Sequence, residues 1–217
     1  MRPQNPPIYD QGQLGSCTAQ AIAAVLEFAQ AKQLQADVFT ASRLFIYYNE
    51  RVVLGTVDED SGAMLRDGIK SVSKQGGPRE KLWPHVISRF RQKPNRAAYK
   101  DGELHQAILY QRLRQVIDQL KGCLADGYPF VFGFSVYESF ESAAVARTGQ
   151  VPLPGRGEAL LGGHAVVAVG YDDPRQRFIV RNSWGTSWGV NGYCTMPYEY
   201  LLDGGLSDDF WTIKLVE

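Results

Sequence analysis

Three short passages of this 217-residue sequence carry residue types that can perform nucleophilic chemistry. The first contains Cys17, which opens an Ala-rich stretch whose apolar residues recur at helical spacing. A thiol in the first turn of a helix feels the positive end of the helix dipole, so this position predicts a lowered thiol pKa. The alternative is that Cys17 is a small buried apolar residue, which is the usual place of a lone cysteine on a helix.

The second passage is Gly162-Gly163-His164, which opens an apolar run of strand character. An imidazole beside glycines at a strand edge can face a cleft, where it can deprotonate a thiol and later protonate an amine leaving group. Taken alone, His164 is explained better as a histidine capped by a turn. His85 and His105 lie in less defined surroundings and have weaker claims to a catalytic role.

The third passage is NSWGTSWGVNGY, residues 182–193, in which Trp and Gly recur at i, i+1, i+4 and i+5. Such a pattern is costly unless backbones approach closely beneath large rings. One interpretation is a Trp-rich turn that closes the core. The other is a site where Asn182 orients a histidine and Trp184 shields their hydrogen bond from water.

The elements that must position these residues change in character along the chain. Apolar periodicity predicts helices over residues 17–32, 40–54, 61–73 and 115–126, and strands over 129–136, 165–169, 178–181, 193–196 and 210–216. Residues 80–102 are basic, contain Pro and indicate a long surface connection. The pattern predicts an α+β chain in two lobes, mainly helical and then mainly β, with a site in the cleft between them.

Composition and charge exclude several classes of protein. The chain has 23 basic and 23 acidic residues, so it has no general attraction to nucleic acid or anionic membranes. No apolar run reaches the length of a membrane span, and the first seven residues contain no secretory signal. We therefore expect a soluble monomer that binds neither nucleic acid nor a membrane, in a compartment that the sequence leaves open.

Cysteine usage points to a free thiol. Cys17, Cys123 and Cys194 are too few for a disulfide framework and have no zinc-binding spacing, so we predict no metal and no cofactor. Cys123 lies on the apolar side of a predicted helix and Cys194 lies within a predicted strand. Both are expected in the core, although a bridge between them stays open.

Taken together, the passages QGQLGSC, GGHAVVAVGYD and NSWGTSWGVNGY resemble the papain-like cysteine peptidases, in the chain order Cys, His, Asn. The passages SRLFIYYNER and DSGAMLRDGIKSV make the chain most similar to the bacterial members of that family. The resemblance runs from about residue 6 to the end of the chain. It implies one papain-like domain over residues 1–217, with a helical lobe at about 14–110, an antiparallel β-barrel-like lobe at about 111–217, and residues 1–13 crossing both.

The resemblance also implies catalytic roles. Cys17 would be the nucleophile, and His164 its base and acid, so that the pair forms a thiolate and an imidazolium. Asn182 would orient His164, and Gln11 would form an oxyanion hole with the backbone N–H of Cys17.

Substrate contacts follow from the same resemblance. The backbone of Ser61 and Gly62 would bind the substrate as an added strand, and Ala63, Met64 and Ala165 would line the adjacent pocket. For Met64 an ordinary core position is equally well supported. Gly163 and Trp184 complete the expected substrate-binding set.

Departures from the family pattern are informative. Thr18 stands where an aromatic residue is usual, Leu14 replaces a cysteine that is commonly bridged, and residues 139–161 are expected to hold extra residues as a loop that could gate the cleft. The resemblance implies a bacterial protein, located in the cytoplasm or secreted without a visible signal peptide.

The expected function is a cysteine endopeptidase that hydrolyses peptide bonds in peptides or proteins through a thioester on Cys17. One alternative is an acyltransferase or peptide ligase that passes the same acyl-enzyme to an amine. Another alternative is a peptide-binding module without turnover, although Gln11, Cys17, His164 and Asn182 are all present.

Overall fold

The computed structural model describes residues 6–33 and 38–217; Met1 to Asn5, the start of the predicted crossing segment, lie outside them. The α-helices are α1 Cys17–Lys32, α2 Arg43–Leu54, α3 Leu65–Gln75, α4 Arg96–Gly102, α5 Ile117–Ala125, α6 Ala143–Thr148 and α7 Tyr198–Leu202. The strands are β1 Ala107–Arg112, β2 Phe130–Tyr137, β3 Leu160–Asp172, β4 Arg177–Arg181, β5 Tyr193–Pro197 and β6 Ser207–Val216. The α+β prediction is confirmed.

Helix α1 is the central element of the first half of the chain. It begins and ends at the predicted residues, and every side chain from Thr18 to Gln30 is buried. Alanine makes this possible because it combines high helix propensity with a small side chain that lets neighbours approach. The helix packs on β3 and β6 on one side and on α2 and α3 on the other.

Helix α3 starts later than the sequence predicts. Its first residue is Leu65, whereas the apolar spacing predicts a start at Ser61. Gly62 has a φ of +68°, in the left-handed region that a continuing helix cannot use. The backbone before α3 is therefore non-helical, and it lines the cleft described below.

Several further elements, including α7, lie outside the predictions. Residues 80–102 are not only a connection, because they contain two 3₁₀ turns and helix α4, which Asn95 caps by accepting from the Ala98 N–H. Likewise, α6 lies inside the expected 139–161 loop, and Ser142 caps it through the Val145 N–H. Strand β1 has one buried residue, Ala107, so its sequence gives little strand signal.

The sheet has the strand order β1-β6-β2-β3-β4-β5, and all of its pairs are antiparallel. Register places His164 of β3 opposite Phe134 of β2. One residue further along, Ala165 stands opposite Gly133, which in turn pairs with Asp208 of β6.

Two apolar cores lie on the two faces of this sheet. Along β3, Ala165, Val167 and Val169 face the helices, whereas Val166 and Ala168 face a second core built only from residues 113–210. The strand thus reads as a continuous apolar run because both of its faces are covered. We propose that the two lobes divide near residues 110 and 111, since the second core begins at Leu113.

The remaining cysteines belong to the core. Cys123 and Cys194 are buried, and both are free, as is Cys17. The prediction that they are core residues is confirmed, and the bridge that the sequence left open does not form. Burial raises the pKa of the Cys194 thiol to about 12, so this thiol stays protonated.

The close approach of two backbone segments in the Trp-Gly passage can be tested at one of its glycines. Gly189 has a φ of +60°, and a Cβ there would stand 2.3 Å from the carbonyl oxygen of Tyr193. We expect Gly189→Ala to destabilise the protein by about 2 kcal/mol or more, as measured by urea unfolding. Gly122→Ala in α5 is the matched control, because its Cβ would meet nothing within 4 Å. Equal unfolding free energies for the two variants would contradict the close approach.

Candidate active site

A cleft of about 730 Å³ collects the residues that the sequence predicts for catalysis and binding. Every predicted site residue lines it except Asn182, which lies buried behind His164. The predicted residues on the cleft wall are Gln11, Cys17, Ser61, Gly62, Ala63, Met64, Gly163, His164, Ala165 and Trp184.

The side chain of His164 is fixed by Asn182. Nε2 of His164 lies 2.8 Å from Oδ1 of Asn182, and the same oxygen accepts from the Ser183 N–H at 2.8 Å. Because that backbone donor identifies the amide oxygen, the hydrogen-bond network assigns the proton of a neutral His164 to Nε2. Nδ1 is thereby left as the basic nitrogen, as a group that accepts a thiol proton must be.

Aromatic rings cover this hydrogen bond. The centroids of the Trp184 and His164 rings lie 5.0 Å apart, and the two ring planes make an angle of 30°. The sequence predicts this cover by Trp184. Phe134 and Phe140 add contacts at 5.7 and 6.3 Å that the sequence reasoning missed. His164 is left 7% exposed, so water has little access to the bond.

Gln11 is also held in a defined position. Its backbone N–H donates to the Ser183 carbonyl at 2.9 Å, and its side-chain Oε1 accepts from the Ser183 hydroxyl at 2.7 Å. Nε2 donates one proton to the Leu14 carbonyl at 3.0 Å, which leaves its second N–H for another acceptor. Ser183 was not predicted, although its place next to Asn182 in the third motif was a signal.

Burial acts against the charged forms of both Cys17 and His164. It raises the pKa of the Cys17 thiol to about 11, and backbone hydrogen bonds from Ala165, Thr18 and Cys17 itself only partly oppose this. It also lowers the pKa of His164 to about 4, against the effect of Asn182. Desolvation of the thiol therefore opposes the lowering that the helix start predicts, and the thiolate–imidazolium pair stays a prediction.

These two shifts have a joint consequence. The cleft disfavours a thiolate without an imidazolium, and equally an imidazolium without a thiolate. Transfer of the Cys17 proton to His164 forms both charges together, so that each stabilises the other in a region of low dielectric.

The structure adds detail to the predicted substrate-binding residues. Met64 is 54% exposed and lines the cleft, so its alternative interpretation as a core residue is wrong. The Gly62 N–H donates to the Tyr47 hydroxyl at 3.2 Å, a bond that the predicted substrate strand would have to share or displace. Gly133, Glu141 and Asp208 are among the cleft residues that the sequence reasoning missed.

Residues 6–33 and 38–217 contain neither a candidate metal site nor a candidate membrane-spanning helix. No group of three or more His, Cys, Asp or Glu side chains there could hold a metal ion. In the same residues, no helix is long and apolar enough to cross a membrane.

Comparison with known proteins identifies the class of protein to which this fold and cleft belong. Residues 2–202 match the papain family of cysteine proteases, and the chain belongs to that family. The chain is a cysteine peptidase, and membership of this family implies a peptide or protein substrate.

Two particular proteins are similar over nearly the whole chain. The crystal structure of xylellain, a cysteine protease from Xylella fastidiosa, has a TM-score of 0.93 and 47% identity, covering 99% of this chain and 85% of that one. An uncharacterized peptidase C1-like protein of Acanthamoeba polyphaga mimivirus is 46% identical over 95% of this chain and 69% of its own length. The similarity to bacterial members that the sequence predicts is thus confirmed.

More distant proteins are also similar to this chain. Digestive procathepsin L 3 of Tenebrio molitor has a TM-score of 0.74 at 17% identity, covering 97% of this chain and 66% of that one. A senescence-specific cysteine protease of rice is 27% identical over 88% of this chain, which spans 53% of the rice protein.

Coupling between His164 and Cys17 is testable without a substrate. We expect His164→Ala to slow alkylation of Cys17 by iodoacetamide about tenfold or more near pH 7, because the thiol loses its proton acceptor while burial still raises its pKa. Peptide mass after limited labelling measures the rate, with Cys123 and Cys194 as internal controls. Asn182→Ala should cause a smaller loss. Identical Cys17 rates in wild type and His164→Ala would show that the two groups are uncoupled.

Proposed function

We propose that this chain is an endopeptidase that cleaves peptide bonds through a thioester acyl-enzyme on Cys17. The observation that supports this most is the meeting of Cys17, Gln11 and an Asn182-bound His164 in one cleft. Each group has the chemistry that acyl transfer needs: a nucleophile, a base with a fixed tautomer, and an anchored N–H donor.

The first half of the reaction forms the acyl-enzyme. The proton of Cys17 Sγ moves to Nδ1 of His164 as Sγ attacks the carbonyl carbon of the substrate. The oxygen becomes negative, and the Cys17 N–H and the free Nε2–H of Gln11 donate to it. Loss of one such donor typically costs about 10²- to 10³-fold in rate. The C–N bond then breaks, and the imidazolium gives its proton to the leaving amine.

The second half returns the enzyme to its starting state. Water loses a proton to Nδ1 of His164 and attacks the thioester carbon, and the tetrahedral intermediate expels the Cys17 sulfur. The acid product leaves, and the proton returns to Sγ. Throughout both halves Asn182 accepts from Nε2–H, so Nδ1 stays the reacting nitrogen.

The acyltransferase alternative uses the same acyl-enzyme, with an amine in place of water. No contact within the cleft favours an amine over water. The binding-module alternative would need one catalytic group to be displaced, and Gln11, Cys17, His164 and Asn182 are instead all in place.

The function is tested by the products. We expect the wild-type protein to cleave an internal bond of a peptide blocked at both ends, and Cys17→Ala to lose the activity by at least about 10³-fold, since the nucleophile is gone. Mass spectra recorded with and without added glycinamide distinguish hydrolysis from transfer. The free acid should dominate in both; a main product joined to glycinamide would instead support the acyltransferase. An active Cys17→Ala protein would overturn the whole assignment.

The cleft further suggests what kind of side chain it accepts. Ala165, Gly133 and Asp208 stand in one row across β3, β2 and β6, and a Cβ at Gly133 would lie 3.0 Å from Oδ1 of Asp208. Because position 133 has no side chain, the Asp208 carboxylate can lie over the backbone of β2, next to Ala165 on the neighbouring strand. No described residue donates a hydrogen bond to this carboxylate, whereas Asp209 accepts from the Arg66 and Trp211 N–H groups.

We infer that Asp208 selects a basic side chain on the acyl side of the substrate. An Arg is long enough to reach from Ala165 towards Asp208, and the charged groups that shift the pKa of Asp208 are Asp209, which raises it together with burial, and Arg112, which lowers it. Glu141, the other carboxylate named above, lies next to Phe140 near His164 and serves as a control.

The preference is measured with peptides that carry Arg or its neutral isostere citrulline at each acyl-side position in turn. At one position we expect kcat/KM in the wild type to be about five- to tenfold higher for Arg than for citrulline. In Asp208→Asn the two values should be nearly equal, and in Glu141→Gln the preference for Arg should be retained. Because the Asp208 pKa is raised, the preference should fade as pH drops through it. A preference that is absent in wild type, or that survives Asp208→Asn, would refute this specificity.

A further inference from the structure

The residue after the nucleophile has an unusual partner. The Thr18 side chain is buried, and its Oγ1 donates to Oε2 of Glu50 at 2.8 Å. Glu50 lies in α2, so this bond joins the first turn of α1, which carries Cys17, to a carboxyl group on a neighbouring helix.

Glu50 lies where three helices converge. It is 0% exposed, and among the residues the structure describes its Oε1 has no hydrogen-bond partner. From α3, Gly68 approaches so closely that a Cβ would stand 2.2 Å from this oxygen and 2.3 Å from Cδ1 of Ile22. A carboxylate in this place would lack the solvation and pairing that its charge needs, whereas a neutral acid loses much less.

The charged groups around Glu50 do not compensate its burial. Arg51 is adjacent on α2, but its guanidinium donates to the backbone carbonyls of Tyr47, Val57, Glu59 and Phe90. Asp67 on α3 adds a negative charge that disfavours ionisation. Burial raises the pKa of Glu50 to about 8, against the Thr18 hydrogen bond and the charge of Arg51. Glu50 is thus mostly protonated at neutral pH.

Glu50 and Cys17 influence each other's charge. A negative charge on Glu50 raises the pKa of the Cys17 thiol, so ionisation of the acid opposes formation of the thiolate. A protonated Glu50 removes that opposition and still accepts from Thr18.

We propose that Glu50 is a positioning residue for Cys17: as a neutral acid it fixes Thr18 and the first turn of α1, and when it loses its proton it weakens the nucleophile. The inference rests on the proposed role of Cys17. The reactivity of Cys17 should therefore rise less steeply above the pH at which Glu50 loses its proton.

Three variants test the proposal. Glu50→Gln keeps an oxygen acceptor for Thr18 and cannot ionise. Thr18→Val removes the hydrogen bond and leaves the acid. Glu27→Gln is the matched control, because Glu27 of α1 is also buried with a pKa raised to about 7, yet it accepts from the Tyr9 hydroxyl and the Ala41 N–H rather than from Thr18.

The main measurement is the rate of Cys17 alkylation by iodoacetamide between about pH 6 and pH 10, each variant normalised to its own value at the lowest pH. In wild type the rise should flatten as Glu50 ionises near pH 8, since the thiol pKa increases there. Glu50→Gln should keep rising and be about three- to tenfold faster at pH 9. In Thr18→Val the flattening should move to higher pH, because the bond that lowers the acid's pKa is lost.

Superimposed curves for wild type and Glu50→Gln would overturn the proposal, as would an equal change in Glu27→Gln. Thermal unfolding at each pH confirms that the variants are folded, and if Glu50→Gln fails to fold, the Thr18→Val shift decides. Alkylation needs no turnover. A protein that shows the expected curves but cleaves no peptide would therefore contradict the proposed function and leave the role of Glu50 intact.

Discussion

The burial of α1 from Thr18 to Gln30 is the constraint on which the site depends. The helix fills the space between the sheet and the other helices, so its start can only emerge where these two layers meet. Cys17 is that start. His164 lies on β3, against which α1 packs, and Asn182 directly follows β4. The N-terminal residues reach the same place through Gln11 and Ser183. The groups proposed as nucleophile, base and oxyanion donor therefore line one cleft.

The same packing controls the charges in and around the cleft. Burial raises the pKa values of Cys17 and Glu50 and lowers that of His164, so each of these groups is disfavoured in its charged form. A site of this kind can hold charge only as a pair formed by proton transfer. The aromatic rings of Trp184, Phe134 and Phe140 keep water from the base and make that pair the main route to a thiolate.

How far the sequence predicts the structure depends on the range of the interactions involved. The bounds of α1 follow from local periodicity, and the residues proposed for catalysis come from three short motifs. The start of α3 does not follow in this way, because the backbone conformation of Gly62 overrides an apolar spacing that continues through it. Glu50 and Asp208 were not predicted, since one depends on the meeting of three helices and the other on strand register. The effect of burial on the thiol pKa was also missed, because the helix dipole is a local effect and desolvation is not.

The contact between Gly68 and Glu50 has a consequence for how the chain can be changed. A Cβ at position 68 would meet Oε1 of Glu50 and Cδ1 of Ile22, so a side chain there requires both of these buried groups to move. A substitution at position 68 is therefore coupled to positions 22 and 50. Because Ile22 lies in α1 and Glu50 accepts from Thr18 of the same helix, a change on α3 is transmitted to the helix that begins at Cys17.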